Sequence, residues 1–303
     1  MHIVSSGYGM QYLPYIAVFL QSVSTAIKNS KILFYIQDID EDCLDILCKT
    51  YQNSEFIETD IAFPKRNVER IPLKMKTWTE ALSKLNGDIL FLDCDTIVSK
   101  SPQGFFSDAD ITFTSKDEQF QINTGVMLTK NSKAVQFFYQ QWTQDILNIL
   151  TDEQRIEIAC SAQHHFGAVD QMAFYELINF NLEKNNYVYN TPYGPISLAS
   201  MPCDELNQVN SVPLNDNIYI YHYKGGWRQI IKSGEFTQYR RFYESYPMLL
   251  LFHKTLKKAK KAMLLNGASP KTVEKFSIYP FKWGLFKIKY FLLSLLNNNL
   301  YSI

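Results

Sequence analysis

The first hundred residues alternate short β-like runs with longer helical ones, and that rhythm constrains the fold more than any other feature of the 303-residue chain. His2-Ile3-Val4-Ser5-Ser6 reads as a strand broken at Gly7, and Leu13 to Lys28 carries the apolar spacing of a helix with one buried face. Lys31 to Ile36 and Phe56 to Thr59 read as further strands, with Glu41 to Tyr51 a helix between them. Leu73 to Leu85 reads as a helix ended by Asn86-Gly87, and Asp88-Ile89-Leu90-Phe91-Leu92 as a fourth strand. Strand and helix in regular alternation predict parallel pairing with helices on both faces. Because Ile89 to Leu92 is apolar at every position, it should be buried on both sides and central. Ligands of such sheets sit at the carboxyl ends of strands, which predicts one crevice containing Ser6-Gly7-Tyr8 and Asp93-Cys94-Asp95.

After residue 100 the pattern is mixed. Ile111 to Thr114, Val126 to Leu128 and Ile218 to Tyr221 read as strands, and Ala134 to Leu150 as a helix. From about residue 238 the chain turns to Lys-rich, aromatic helices interrupted near Gly267 and Pro270. The expectation is an α/β body over residues 1–237, a Rossmann-like and mostly parallel sheet with flanking helices, and a basic helical extension over 238–303.

Composition removes several classes. A 46% apolar and 15% aromatic chain can build a sizeable core. Zero net charge gives no support to a nucleic-acid binder. Five cysteines without a C-x-x-C pair support neither a disulfide framework nor a thiolate zinc site, which points to a reducing cytoplasm. Met1-His2-Ile3-Val4 lacks the plan of a signal peptide, and no apolar run approaches the roughly 20 residues that span a bilayer. The expectation is a cytoplasmic protein, free or resting on the inner face of the membrane.

Asp-x-Asp occurs four times, at Asp38/Asp40, Asp40/Asp42, Asp93/Asp95 and Asp108/Asp110. The first two fall on a polar turn before a helix, where Asp is an ordinary cap, and the last falls in a polar loop. Only Asp93 and Asp95 follow a buried strand, where adjacent carboxylates repel one another and lose hydration. A bound cation relieves both costs, and an oxygen-rich site suits Mn²⁺ or Mg²⁺ with a diphosphate and water completing the shell. The plainer alternative is a turn capped by two solvated acids. The stretch Ile89 to Val98 also looks like the first motif of haloacid-dehalogenase-like phosphatases, with Asp93 as nucleophile and Asp95 as general acid. That family needs a second acidic pair, Asp-Asp or Gly-Asp-x-x-x-Asp, and neither follows residue 95. Its motif also normally follows the first strand rather than the fourth. A nucleotidyltransferase of related fold would carry a Gly-rich phosphate loop near its start, and none is present.

Over roughly residues 1 to 230 the chain resembles retaining glycosyltransferases of the GT-A fold, especially family eight, the galactosyl- and glucosyltransferase group that includes glycogenin. Five stations in order carry the resemblance. Ile-Leu-Phe-Leu-Asp93-Cys-Asp95 is similar to the family's Y-L-D-x-D, and Gln121-Ile-Asn123-Thr124-Gly125-Val-Met-Leu to its F-N-x-G-V-x-L. Gly167-Ala-Val-Asp170-Gln171 is similar to its D-Q pair, Tyr221-His222-Tyr-Lys224-Gly225-Gly-Trp227 to its H-x-x-G-x-x-K-P-W, and Lys76 stands where the family has a basic donor-binding residue. The last motif lacks Lys-Pro before Trp227, and the acidic Thr-Asp that usually follows the first strand is missing.

The resemblance implies a set of roles. Asp93, Asp95 and His222 would ligate Mn²⁺ (or Mg²⁺), which as a Lewis acid would stabilise the leaving nucleoside diphosphate. Lys76 and Lys224 would add positive charge to the same phosphates. Ser6, Gly7 and Tyr8 would contact base and ribose, with the Tyr8 ring available for stacking. Asn123 and Asp170 would hold sugar hydroxyls, and Gln171 would lie at the far face of the anomeric carbon. Donor contact would extend to Cys94, Thr124, Gly125 and Gly225. The implied reaction moves a hexose from a UDP-linked donor to a glycan or glycolipid hydroxyl with retention, as in bacterial surface-polysaccharide synthesis.

Each station has a plainer reading beside this one. Asn123-Thr124-Gly125 fits a turn, Asp170 a helix cap with Gln171 exposed beside it, His222 a hydrogen-bonded core histidine, and Lys76 a solvated lysine.

Residues 250–303 hold ten Lys and one acid, Glu274, a charge of +9, which leaves −9 on the remainder. Lys254, Lys257, Lys258, Lys260 and Lys261 alternate with Leu256, Ala259, Met263 and Leu264, and aromatic residues from Phe281 to Phe291 follow. Such a segment, residues 254–292, either rests on an anionic membrane surface or packs on the body with its lysines solvated. The remaining alternative class is a non-catalytic membrane-surface binding protein.

Overall fold

The computed structural model describes residues 1–59, 71–105, 108–116, 121–161, 164–209, 216–224 and 239–278, with backbone alone over 239–246. Ten strands and nine α-helices lie among the described residues. The first half follows β1 (His2–Tyr8), α1 (Leu13–Ala26), β2 (Lys31–Gln37), α2 (Glu41–Thr50), β3 (Ser54–Glu58), α3 (Ile71–Lys84) and β4 (Asp88–Leu92). The second half follows β5 (Thr96–Val98), β6 (Ile111–Ser115), β7 (Ile122–Lys130), α4 (Lys133–Leu150), α5 (Glu153–Cys160), α6 (Val169–Leu177), β8 (Asn186–Thr191) and β9 (Gly194–Pro202). It closes with α7 (Cys203–Leu206), β10 (Ile220–His222), α8 (Tyr239–Leu265) and α9 (Pro270–Glu274).

Eight strands form one sheet in the order β3-β2-β1-β4-β7-β6-β9-β8, and β10 pairs with β5 in a separate ribbon. β3, β2, β1 and β4 are mutually parallel, β7 runs antiparallel to both β4 and β6, and β9 runs parallel to β6. The chain therefore steps outward from β1 to β3 and then crosses back to place β4 on β1's other side. That reversal makes a switch point at the carboxyl ends of β1 and β4, the position where open α/β sheets bind ligands.

β4 is central, and Ile89, Leu90, Phe91 and Leu92 are all buried. Successive residues serve opposite faces, as the pleat requires. Ile3, Phe34, Leu90 and Leu92 pack in one core with α1, while Val4, Leu33, Tyr35, Ile89 and Phe91 pack in the other with α3, α4 and α6. The second core is aromatic: Trp78 stacks on Phe91 at 4.7 Å and meets Trp142 edge-on at 6.4 Å.

Sequence and structure part at several edges. β1 does not break at Gly7 but runs through it to Tyr8, and Gly7 packs closely enough that a methyl group there would meet the Ile16 side chain at 3.0 Å. Asn123, Thr124 and Gly125 are strand residues inside β7 rather than a turn. In the C-terminal segment Met248, Leu249, Phe252, Leu256, Ala259 and Met263 of α8 are buried in the α1-side core. Lys254, Lys257, Lys258 and Lys261 are exposed on the opposite side. Phe281, Trp283, Phe286, Ile288, Phe291 and Leu292 lie outside the described residues. Among the described residues no helix is long and apolar enough to cross a membrane.

Candidate active site

At the switch point β4 delivers Asp93, the turn after it delivers Asp95, and the small ribbon delivers His222. The ribbon does this by register, since Thr96 of β5 lies opposite His222 of β10. Backbone bonds hold the junction: Asp93 N donates to Gly125 O at 2.9 Å, Tyr223 N donates to Asp95 O at 2.8 Å, and Thr96 Oγ1 donates to Asp93 O at 2.8 Å. One ligand atom from each of Asp93, Asp95 and His222 lies within 4.8 Å of the others. His222 Nε2 is 3.2 Å from Asp95 Oδ1 and 3.6 Å from Asp93 Oδ2. His222 and Asp95 are only 2% and 5% exposed, so bulk water does little to screen the Asp95 carboxylate, while Asp93 is partly exposed.

Gly125 opens the space beside them. A methyl group there would meet His222 Cε1 at 2.2 Å and Asp93 Oδ2 at 2.9 Å, so only glycine admits the imidazole and carboxylate together. Cys94, between the two acids, packs into the α1-side core and leaves the cluster to oxygen and nitrogen donors. Two carboxylates and one imidazole could hold a divalent cation.

The cation that does face the acids is Lys74. Its Nζ lies 2.9 Å from Asp93 Oδ1 and 3.5 Å from Asp170 Oδ2, donates to Thr124 O at 3.4 Å, and sits 4.5 Å over the Trp78 ring. Burial by itself lowers the Lys74 pKa, but Asp93, Asp170 and Asp95 outweigh it, and the ammonium titrates above its ordinary value. Lys76, singled out from the sequence for this place, is exposed on the outer side of α3. A helix turns about 100° per residue, so two positions apart the side chains face nearly opposite ways. The spacing held the signal: Lys74 stands one turn before the apolar Trp78 and two before Ala81, while Lys76 stands one turn before Glu80.

The D-Q station is buried rather than exposed. α6 begins after Ala168, so Asp170 is a first-turn residue and not the cap. Trp142 Nε1 donates to Asp170 O at 2.9 Å, and Thr124 Oγ1 donates to Asp170 Oδ2 at 2.6 Å. Gln171, with its amide in the orientation that satisfies both ends, donates from Nε2 to Ile122 O at 2.7 Å and also to Phe166 O. Both amide protons are then committed, and the carbonyl Oε1 is what Gln171 offers a ligand. Asn123 Oδ1 accepts from Gly125 N at 3.0 Å, while its buried Nδ2 has no protein partner among the described residues.

The rest of the expected set is scattered around this centre. Ser6 is partly buried at the end of β1. Tyr8 is buried, which raises its pKa against the effect of the Ser6 and Thr77 hydroxyls beside it, so its ring is enclosed rather than open for stacking. Burial lowers the pKa of Lys224, as does Lys116, against the attraction of Asp93 and Asp170. Gly225 lies outside the described residues.

Comparison with known proteins agrees in kind. The family model of nucleotide-diphospho-sugar transferases matches residues 40–210. No curated protein matches the chain. The glycosyltransferase GlyE of Streptococcus pneumoniae TIGR4 superposes with TM-score 0.52 at 15% identity, covering 85% of this chain and 63% of that one. Its apo form gives 0.51 at the same identity, covering 85% and 62%. The galactosyltransferase LgtC, solved with donor and acceptor sugar analogues, gives 0.47 at 15% identity over 85% and 96%. The chain thus spans less than two thirds of the length of GlyE, and at this identity the likeness concerns the fold alone.

Proposed function

Because the chain belongs to the nucleotide-diphospho-sugar transferase family and is a glycosyltransferase, we propose that it moves a hexose from a UDP-linked donor to a sugar hydroxyl with a divalent cation at Asp93, Asp95 and His222. Family membership sets this enzyme reading ahead of the phosphatase and the non-catalytic surface binder. The observation that carries the site is the convergence of two carboxylates and an imidazole at the switch point, with Gly125 cleared beside them.

Asp93, Asp95 and His222 would hold the cation, and a divalent ion such as Mn²⁺ would supply charge compensation to a diphosphate leaving group. Lys74 and Lys224 add positive charge to the same leaving group, with Lys74 taking the part first assigned to Lys76. Asn123 Nδ2 and Asp170 hold hydroxyls of the transferred sugar. Gln171 turns its carbonyl oxygen toward the positive charge that develops at the anomeric carbon, the placement that retention needs. Residues 1–237 carry this chemistry, and the basic extension from residue 238 brings the enzyme to a lipid-linked acceptor at an anionic surface. Bacterial surface-polysaccharide synthesis is the setting that joins these features.

The test is thermal stabilisation by nucleotide sugars with and without Mn²⁺, on wild type and Asp95→Ala. A ligand present at 100 times its Kd stabilises the native state by about 2.7 kcal/mol. UDP-hexose should raise the melting temperature only with Mn²⁺, and only in wild type. Failure of every nucleotide, under every metal condition, sinks the donor site.

A further inference from the structure

Behind His222 lies a line of polar groups that no metal or donor would touch. His222 Nδ1 is 3.0 Å from Asn207 Oδ1, Asn207 Nδ2 donates to Thr114 Oγ1 at 2.9 Å, and Thr114 Oγ1 donates to Asn123 O at 2.9 Å. Thr114 and Asn207 are fully buried and His222 nearly so. Bulk water is therefore not at hand to replace any of these bonds. The backbone holds the same line, since Asn207 N donates to Cys203 O and His222 N donates to Gln208 O, each at 2.9 Å. The segment that grips the ring also grips the strand beneath it.

We propose that Thr114 and Asn207 are positioning residues that hold His222 as its Nδ1–H tautomer, so that the Nε2 lone pair is turned toward Asp93 and Asp95 as a cation ligand. The argument is a count of protons. A hydroxyl has one, and Thr114 spends it on the Asn123 carbonyl, where the β6–β7 ladder shifts register between Phe113 and Thr114. The oxygen of Thr114 must then accept, and only the amide nitrogen of Asn207 can donate to it. Asn207 Oδ1 is left facing the ring, and an amide oxygen can only accept, so Nδ1 carries the proton. In a neutral imidazole Nε2 is then a bare lone pair. The opposite tautomer would let Nε2–H donate to Asp95 Oδ1, 3.2 Å away, but at the expense of the line behind the ring. It would also require Asn207 to turn over and offer its oxygen to a hydroxyl whose proton is already placed. Partners behind a ligating histidine set its tautomer and orientation, and their loss typically costs roughly 10–100-fold in metal affinity.

The metal half of this inference rests on the cation site proposed above, but the tautomer does not, and the experiment separates them. Side-chain ¹H–¹⁵N correlation spectra of the metal-free protein, with His222 assigned through His222→Gln, report which ring nitrogen bears hydrogen. The expected result is Nδ1–H in wild type and loss of that preference in Asn207→Ala. A wild-type spectrum showing Nε2–H with Nδ1 bare overturns the relay outright, with no variant needed. Mn²⁺ titration calorimetry then compares wild type with Thr114→Val and Thr114→Ser, each checked for an unchanged melting transition. Thr114→Val should bind Mn²⁺ roughly 10–100-fold more weakly, and Thr114→Ser, which keeps the hydroxyl, should restore binding. Equal affinity in a folded Thr114→Val refutes the positioning role. If wild type binds no Mn²⁺ while showing Nδ1–H, the cation site fails and the relay stands.

Discussion

Two groups of potential metal ligands occur among the described residues, Asp40/Asp42/Cys43 and Asp93/Asp95/His222, and each contains an Asp-x-Asp. The first already has its cation. Lys275 Nζ lies 2.8 Å from both Asp40 Oδ2 and Asp42 Oδ1, and Thr272 Oγ1 donates to Asp42 at 3.2 Å. Both acids are exposed, and burial pushes the Cys43 thiol up to about 12, so no thiolate is offered. In the second group Asp95 and His222 are buried, the imidazole lies against both acids, and Lys74 meets the outer, partly exposed acid, Asp93. The same tripeptide thus serves as a clasp in one place and, on the function proposed above, as a ligand cradle in the other. Burial and the nature of the third group decide which.

Substitutions can break this contrast. Asp95→Asn should lower transfer by roughly 10²–10³-fold, the scale for removing one group that stabilises a transition state's charge. Asp42→Asn should leave steady-state turnover at the wild-type value; an equal loss in both would mean that the two clusters are not different in kind. Gly125→Ala comes next, since its new methyl group must displace His222 or Asp93. Calorimetry should show Mn²⁺ bound roughly 10–100-fold more weakly by a folded protein.

Lys74 sharpens the comparison between partnered and unpartnered acids. Lys74→Met leaves Asp93 and Asp170 without their protein cation, but the side chain is 15% exposed and Asp93 is 27% exposed, so water offsets part of the loss. Chemical denaturation should show a cost of about 1–3 kcal/mol, below the range for a fully buried pair. Lys76→Met should fall within about 0.5 kcal/mol of wild type. Equal effects would erase the distinction between the two faces of α3.

The smallest effect belongs to the clasp. The bond from Lys275 holds the Asp42 carboxyl below its usual range, and the Lys275 ammonium is held above its own. A depressed acid adds stability above its unfolded pKa and loses it as pH falls through the folded one. A raised lysine adds stability below its unfolded pKa, so neutral pH lies inside both windows. The melting temperature of Lys275→Ala should lie slightly below that of wild type at neutral pH, and the gap should close on acidification and shrink in high salt. A gap that persists in acid would assign the effect to packing.

Much of this was legible in the sequence because burial leaves a pattern. The apolar run Ile89 to Leu92 announced a central strand, and the acids after it announced the cleft. Asn123, Asp170, Gln171 and His222 were found as motif residues; the plainer readings of the first three gave way only once strand, helix start and burial were visible, while His222 is also the hydrogen-bonded core histidine of its plainer reading. Lys76 was identified as a basic residue on the right helix without asking which face it shared, and the lysine that reaches Asp93 is Lys74, two positions earlier. Thr114 and Asn207 left no signal, since the bond between them joins residues 93 positions apart and no spacing rule reaches that far. The clasp was equally hidden: Asp40 and Asp42 suggested a helix cap, and the Lys275 partner stands more than 230 positions on.

The placement of His222 on a ribbon late in the chain has a consequence for biogenesis. Asp95 emerges during synthesis 127 residues ahead of it (222 − 95). At about 5–20 residues per second, the acids wait roughly 6–25 seconds for the imidazole. During that interval the nascent chain presents two carboxylates without their imidazole, so a three-ligand cation site of the kind proposed above could be complete only once β10 pairs with β5.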